Sequence, residues 1–243
     1  MRVCSKTDIG RIRSTNQDAV KSGMISDELV WSVVCDGMGG VHGGDVASEM
    51  AVLTISSVLS ESLSEMKTDE EIKDVMLKSV FDANGAIYMK SRKDKNLRNM
   101  GTTVVVCVLS GQELYVVHVG DSRAYVVKEK EIQQVTTDHS IVQSMLDNGE
   151  ISEIEAKNHP QKNIITRALG VDSQVEPDYF HTKIDQEDLV LLCTDGLTNC
   201  VEDSEIYDVC KNNPFKFIPE ALVKISNNHG GNDNITVSVI ACD

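Results

Sequence analysis

At 243 residues, with 41% hydrophobic and 25% charged residues, the chain is long enough to bury an ordinary core and too apolar to be a disordered segment. Lys and Arg number 23 against 38 Asp and Glu, a formal charge of −15, which disfavours nucleic-acid grooves and anionic membrane surfaces as partners. The seven cysteines are odd in number, contain no C-x-x-C pair, and at positions 35, 107 and 193 sit inside apolar runs. They read as reduced core thiols rather than a disulfide framework. No stretch has the apolar length of a signal peptide or a membrane span, so a cytoplasmic protein is expected.

Strand signals open the chain at 2–7, 18–25 and 29–35. Two faces at helical spacing follow. Val46, Met50, Leu53 and Ser57 begin one that continues to Met66; Ile72, Met76, Val80, Ala83 and Ile87 form the other. Strands resume at 102–109, 113–119, 122–127 and 132–136, with Gly111 and Gln112 as a hairpin-type connection. A helix is predicted over 138–149, ending near Gly149, and Ser152 with Glu155 has the form of a capping box. Periodicity is weak from 148 to 170, which predicts a loop-rich excursion. Strands at 175–182 and 188–193, helices at 203–211 and 215–228, and a last strand at 235–241 complete the chain. Strand runs interleaved with helix pairs, rather than regular βαβ units, predict an α+β fold with antiparallel sheets.

Aspartates recur at strand ends beside glycine. Asp36 opens Asp-Gly-Met-Gly-Gly after an apolar strand; Asp121 follows Gly120; Asp195 precedes Gly196; Asp233 lies in Gly-Gly-Asn-Asp-Asn before the last strand. A single Asp-Gly is a turn. Four at strand ends raise a second reading: carboxylates gathered at one sheet end repel one another, and hard divalent cations such as Mg2+ or Mn2+ would relieve this. Near the N-terminus Arg13 could clamp a phosphoryl group with two parallel bonds, or lie on the surface as an ordinary arginine.

Ten blocks in order resemble the metal-dependent Ser/Thr protein phosphatases of type 2C, the PPM family, in its compact bacterial branch. They are RIRSTNQD at 11–18, VVCDGMGG at 33–40, GGDVAS at 43–48, MGTTVV at 100–105, HVGDSRAY at 118–125, TTDHS at 136–140, NHP at 158–160, ITRALG at 165–170, LCTDGLTN at 192–199 and GGNDNITV at 230–237. The resemblance implies a β-sandwich of two antiparallel sheets flanked by helices on both sides, one catalytic domain over 1–243, and a flap at about 147–170. It implies two core Mn2+ or Mg2+ ions and a water or hydroxide that bridges them and attacks phosphorus. By position, Asp36 would bridge both ions and Asp195 and Asp233 would complete the first. The Gly37 carbonyl would bind the second, with Asp18 nearby. Asp121 with Asp195 matches a third, weaker site, and Arg13 matches the phosphate-binding arginine.

The implied substrates are phosphoserine and phosphothreonine in proteins, targets of a eukaryotic-type bacterial Ser/Thr kinase, and a monomer is expected. Three positions depart from the family pattern. Val41, followed by His42, stands where many bacterial members carry histidine after GMGG. Met38 stands where eukaryotic members often carry one, and Gln17 replaces a frequent Glu. His139 and His159 are expected in flap or packing roles rather than as ligands. The competing class is a phosphatase-fold regulatory or binding module with weak or lost catalysis. Retention of Asp36, Asp195 and Asp233 favours the enzyme.

Overall fold

Eleven strand segments and seven α-helices make up the described residues, 1–65 and 68–242 of a computed structural model, the side chains of residues 40–42 and 65 excepted. The strands are β1 (Arg2–Asp8), β2 (Asp18–Ser26), β3 (Leu29–Met38), β4 (Gly101–Thr102), β5 (Val104–Ser110), β6 (Glu113–Val119), β7 (Arg123–Val127), β8 (Ile132–Gln134), β9 (Asp178–Lys183), β10 (Leu189–Cys193) and β11 (Ile235–Ala241). The helices are α1 (Gly40–Ser62), α2 (Asp69–Lys93), α3 (Ile141–Asp147), α4 (Glu153–Lys157), α5 (Asp195–Thr198), α6 (Asp203–Asn212) and α7 (Ile218–Asn228).

The strands form two antiparallel sheets. One runs β1-β11-β10-β7-β8; the other runs β2-β3-β5-β6-β9, with β4 paired to the end of β3. Between them lie Val30, Val34, Val105, Leu109 and Val116 of one sheet and Val126, Val190, Leu192 and Ile240 of the other. Ser32 and Ser238 meet across this layer, oxygen to oxygen, at 2.7 Å. The opposite faces are covered too. Trp31, Val33, Val106 and Val108 pack under α1 and α2, and Leu191, Val237 and Val239 pack under α6 and α7. Strands buried on both faces read as continuous apolar runs, which is why they stand out in the sequence. The expected sandwich with helices on both sides is present.

Details differ from the sequence reading. The buried stripe of α1 is Ala47, Ala51, Ile55 and Leu59, whereas Leu53 is 52% exposed and Ser57 is exposed. Small alanines let the helix lie close on the sheet, and a reading weighted towards large side chains placed the face a residue or two away. Met66 lies outside the described residues. The face Ile72, Met76, Val80, Ala83 and Ile87 is fully buried as expected. The run 102–109 breaks at Thr103, because β4 pairs with Gly37 and Met38 while β5 pairs with the earlier part of β3. The same pairing carries β3 three residues past Cys35.

α3 starts after Ser140, whose hydroxyl accepts from Gln143 N at 3.2 Å. Asp138 is held outside the helix by Arg123 at 2.7 Å. The capping box of Ser152 and Glu155 forms and opens α4. The remainder of 158–177 carries only two isolated bridges, Ser140 to Ile165 and Thr102 to Leu169. β9 begins at Asp178, β7 at Arg123 and β10 at Leu189, and β8 stops at Gln134. The helix predicted over 215–228 is a 3-10 turn (Phe215–Phe217) followed by α7, with Pro219 in its first turn. The short α5 was not anticipated; its four residues read as a turn. None of the seven cysteines, all among the described residues, forms a disulfide, and Cys35, Cys107 and Cys193 are buried as expected.

Candidate metal centre

The pairing of β2 with β3 puts Asp18 directly opposite Asp36. Asp36 sits where β3 passes from β5 to β4, and its backbone is fixed from both sides. Its carbonyl accepts from Thr102 Oγ1 at 2.8 Å and Thr103 N at 2.9 Å. Its N–H donates to Thr103 Oγ1 at 3.0 Å, and that oxygen lies 2.7 Å from Ser122 Oγ. Ser122 follows Asp121, so a short chain of bonds ties the two aspartate segments together.

Thr194 precedes Asp195 and reaches sideways: its hydroxyl donates to Asp18 Oδ2 at 2.8 Å and accepts from Thr236 N at 3.0 Å. Asp195 opens α5 and accepts at Oδ2 from Asn199 Nδ2 at 2.9 Å. Asp233 accepts at Oδ2 from Arg13 Nη2 at 2.7 Å. The loop that carries Arg13 is clamped by buried Asn234, which accepts from Gln17 N at 2.8 Å and donates to the carbonyls of Ile9 and Thr15 at 2.9 and 3.0 Å. Gly37 faces Gly44 so closely that a Cβ on Gly37 would lie 2.0 Å from the Gly44 carbonyl oxygen. No other residue fits there, and the backbone of the Asp-Gly-Met-Gly-Gly segment is pressed against α1 beside the carboxylates.

The electrostatics are those of gathered negative charge. Burial, then Asp195 and Asp233, raises Asp18 to about 7 despite the threonine bonds that act the other way. Burial followed by repulsion from Asp18, Asp195, Asp121 and Asp233 pushes Asp36 well above the carboxylate range. Burial and Asp233 raise Asp195. Burial, Asp195 and Asp138 raise Asp121 to about 8. The bond to Asp233, aided by the charges of Asp233, Asp36 and Asp195, raises Arg13, whose side chain is 52% exposed at the rim.

The donor set fits hard divalent cations. Asp18 Oδ1 and Asp195 Oδ1 are buried with no hydrogen-bond partner, an arrangement that costs free energy unless a cation meets it. Among the described residues, no three His, Cys, Asp or Glu side chains already close around one point as a cage. Asp233 is bonded to Arg13 instead, so cation binding there exchanges one positive partner for another.

The histidines lie elsewhere. His118 Nε2 is 2.8 Å from the Gly120 carbonyl oxygen, and His139 accepts from Gly120 N at Nδ1, 3.1 Å. The two rings thus hold the backbone before Asp121. His159 accepts from Gln161 N within the excursion after α4. The side chain of His42 is outside the described residues. Thr103, Ser122, Thr194 and Asn234 were not singled out in the sequence, although all four lie inside or beside the quoted blocks.

The protein phosphatase 2C family model matches residues 11–234. The serine/threonine phosphatase stp of Listeria monocytogenes serotype 4b is 39% identical over 239 residues, covering 98% of this chain and 94% of that protein. The solved S. agalactiae serine/threonine phosphatase superposes with a TM-score of 0.92 at 35% identity, over 98% of each chain. The catalytic domain of the serine threonine protein phosphatase PstP, solved in complex with two manganese ions, gives 0.82 at 30% identity over 98% of this chain and 96% of that one. With the fold, the strand-end aspartates and full-length similarity in agreement, the chain belongs to the protein phosphatase 2C family.

Proposed function

We propose that the chain is a metal-dependent protein serine/threonine phosphatase that hydrolyses phosphoserine and phosphothreonine in proteins. The observation that carries this reading is the aspartate cluster itself: two buried carboxylate oxygens without hydrogen-bond partners, among carboxyl groups that burial and mutual repulsion raise above the ordinary carboxylate range. In the assignment we favour, Asp36, Asp195 and Asp233 would hold one Mn2+ or Mg2+ ion, Asp36 with the Gly37 carbonyl and Asp18 would hold a second, and Asp121 with Asp195 would hold a third, weaker one. Bound divalent cations supply activated water near neutral pH and neutralise charge on the phosphoryl oxygens.

The chain's own groups supply geometry. Thr194 holds the Asp18 carboxylate, and Thr102 and Thr103 fix the backbone of Asp36, so the two strand segments that carry these carboxyl groups stay side by side. Arg13, exposed and anchored only at its tip, is placed to turn from Asp233 to the equatorial oxygens of a phosphoryl group, where a planar two-point contact positions it for in-line attack. Asn234 fixes the loop from which it turns.

We read residues 1–243 as one catalytic domain with a flap at 147–170. It acts as a monomer in the cytoplasm on phosphoproteins made by a eukaryotic-type Ser/Thr kinase, with neither nucleic acid nor membrane as partner. No helix of the described residues is long and apolar enough to cross a membrane. Turnover of a phosphothreonine peptide and of an aryl phosphate, with Mn2+ and then with excess chelator, tests the reading. Hydrolysis of both that stops with chelator supports it. A chain that retains the phosphopeptide without turnover in Mn2+ is the binding module instead.

A further inference from the structure

We propose that a cavity beside the aspartate cluster is a subsite for the polypeptide that carries the phosphate. It is built to take an apolar side chain with a basic neighbour, within about four residues of the phosphorylated one. This rests on the phosphatase reading above. The cavity has a volume of about 590 Å3, and its apolar wall is Met38, Phe81, Ile165 and Val171. Such a volume falls in the range of roughly 300–1,000 Å3 that holds specific ligands.

Its position ties it to the site. Met38 and Asp36 are two residues apart in β3, so their side chains leave the same face of the strand about 7 Å from one another. An extended peptide covers about 3.3–3.6 Å per residue, so the cavity begins about two residues from a phosphoryl group that cations at Asp36 and Arg13 would hold. Gly101, paired with Met38, lets the cavity wall close on the end of β3: a Cβ there would lie 2.9 Å from the Leu169 carbonyl oxygen, 2.9 Å from Val171 Cγ2 and 3.6 Å from Met38 Cγ.

The cavity is preformed. Asn84 of α2 is buried and accepts from Gly170 N at 2.7 Å while donating to the carbonyls of Asp172 and Ser173 at 3.2 and 3.4 Å, which pins the far wall to the helix. Phe81 and Val171 nevertheless remain 48% and 42% exposed, an apolar surface facing open space. Among the described residues the one cation in the wall, Arg167, already donates to Asp178 Oδ1 at 2.9 Å and to the Glu176 carbonyl at 3.2 Å. The exposed carboxylates of Asp172 and Glu176 therefore set the sign of the rim, and a basic residue beside the apolar one complements it. Continuity with the phosphate site makes the substrate's own flanking segment the occupant, rather than a free metabolite or a second copy of this chain.

The test is a set of phosphothreonine nonapeptides of equal charge in which one Leu is walked through an alanine background on both sides of the phosphorylated residue. At the preferred place, a Lys neighbour is then compared with Glu. One Leu position is expected to raise kcat/KM about tenfold over alanine, the order of burying one large apolar side chain. Phe81→Ala and Val171→Ala should each remove most of that gain while aryl phosphate turnover stays unchanged. The double variant Asp172→Asn, Glu176→Gln should remove the preference for Lys over Glu. Equal kcat/KM for every Leu position, or a preference that survives Phe81→Ala and Val171→Ala, would overturn the proposal. Failure to hydrolyse the aryl phosphate as well would remove the phosphatase reading and the subsite with it.

Discussion

Asp36 combines burial with four neighbouring carboxyl groups that raise it, and asparagine has nearly its shape without its charge. Asp36→Asn should therefore cut Mn2+-dependent turnover by about 100-fold or more, while the cation-free protein melts at the same or a higher temperature because a buried repulsion is gone. A melting temperature several degrees lower would mark Asp36 as a packing residue instead. Arg13→Ala should raise KM for a phosphopeptide by about tenfold with little change in Mn2+ affinity, and Arg13→Lys should recover only part, since an ammonium lacks the planar fork. Unchanged kinetics would return Arg13 to the role of Asp233's surface partner.

The raised carboxyl groups also set a pH dependence. Asp18 near 7 and Asp121 near 8 lie above the ordinary 3.8, so the folded chain binds more protons than the unfolded one between those values. Stability of the cation-free protein should then fall as pH rises from the ordinary carboxylate range through 7 to 8. Urea denaturation in chelator at pH 5.5 and pH 8 checks the sign, and a higher midpoint at pH 8 would contradict it. Asp36, Asp121 and Asp195 were legible in the sequence because each abuts a glycine at the end of an apolar run, and Asp233 because it lies two residues from one; Asp18 stood out only through the family resemblance. Thr194 and Asn234 were not legible, because their meaning lies in bonds to residues 176 and 217 positions away, at Asp18 and Gln17.

At the scale of elements, α1 shows where periodicity misleads. Ala47, Ala51, Ile55 and Leu59 repeat every four residues and face the sheet, but two of them are small, and the larger Leu53 drew the predicted face outward. Ile55→Ala should cost about 2–5 kcal/mol and Leu53→Ala no more than about 0.5, measured by urea denaturation. Equal losses at the two positions would contradict the observed face. α2 was legible because Ile72, Met76, Val80, Ala83 and Ile87, most of them large, mark its buried face at helical spacing, although Ser79, Asn84 and Ser91 are buried with them. The split of 102–109 into β4 and β5 was not, since it answers to the partner strand: Thr103 leaves the ladder to bind both backbone groups of Asp36.

For the molecule as a whole, the two sheets and two outer helix pairs follow from apolar runs and helical faces. Their order does not: β1 pairs with β11, 225 or more residues away in sequence, a connection no local pattern encodes and only the ordered family blocks imply. What that topology achieves is the convergence of segments distant in sequence on a single carboxylate cluster, whose repulsion bound cations would relieve. Bound Mn2+ at about 100 times its dissociation constant would add about 2.7 kcal/mol of stability per site. Calorimetric titration of Mn2+ into chelator-treated protein, wild type beside Asp36→Asn, addresses this most directly. The account predicts at least two ions per wild-type chain and loss of both tight sites in the variant. Equal stoichiometry and affinity in Asp36→Asn would contradict it.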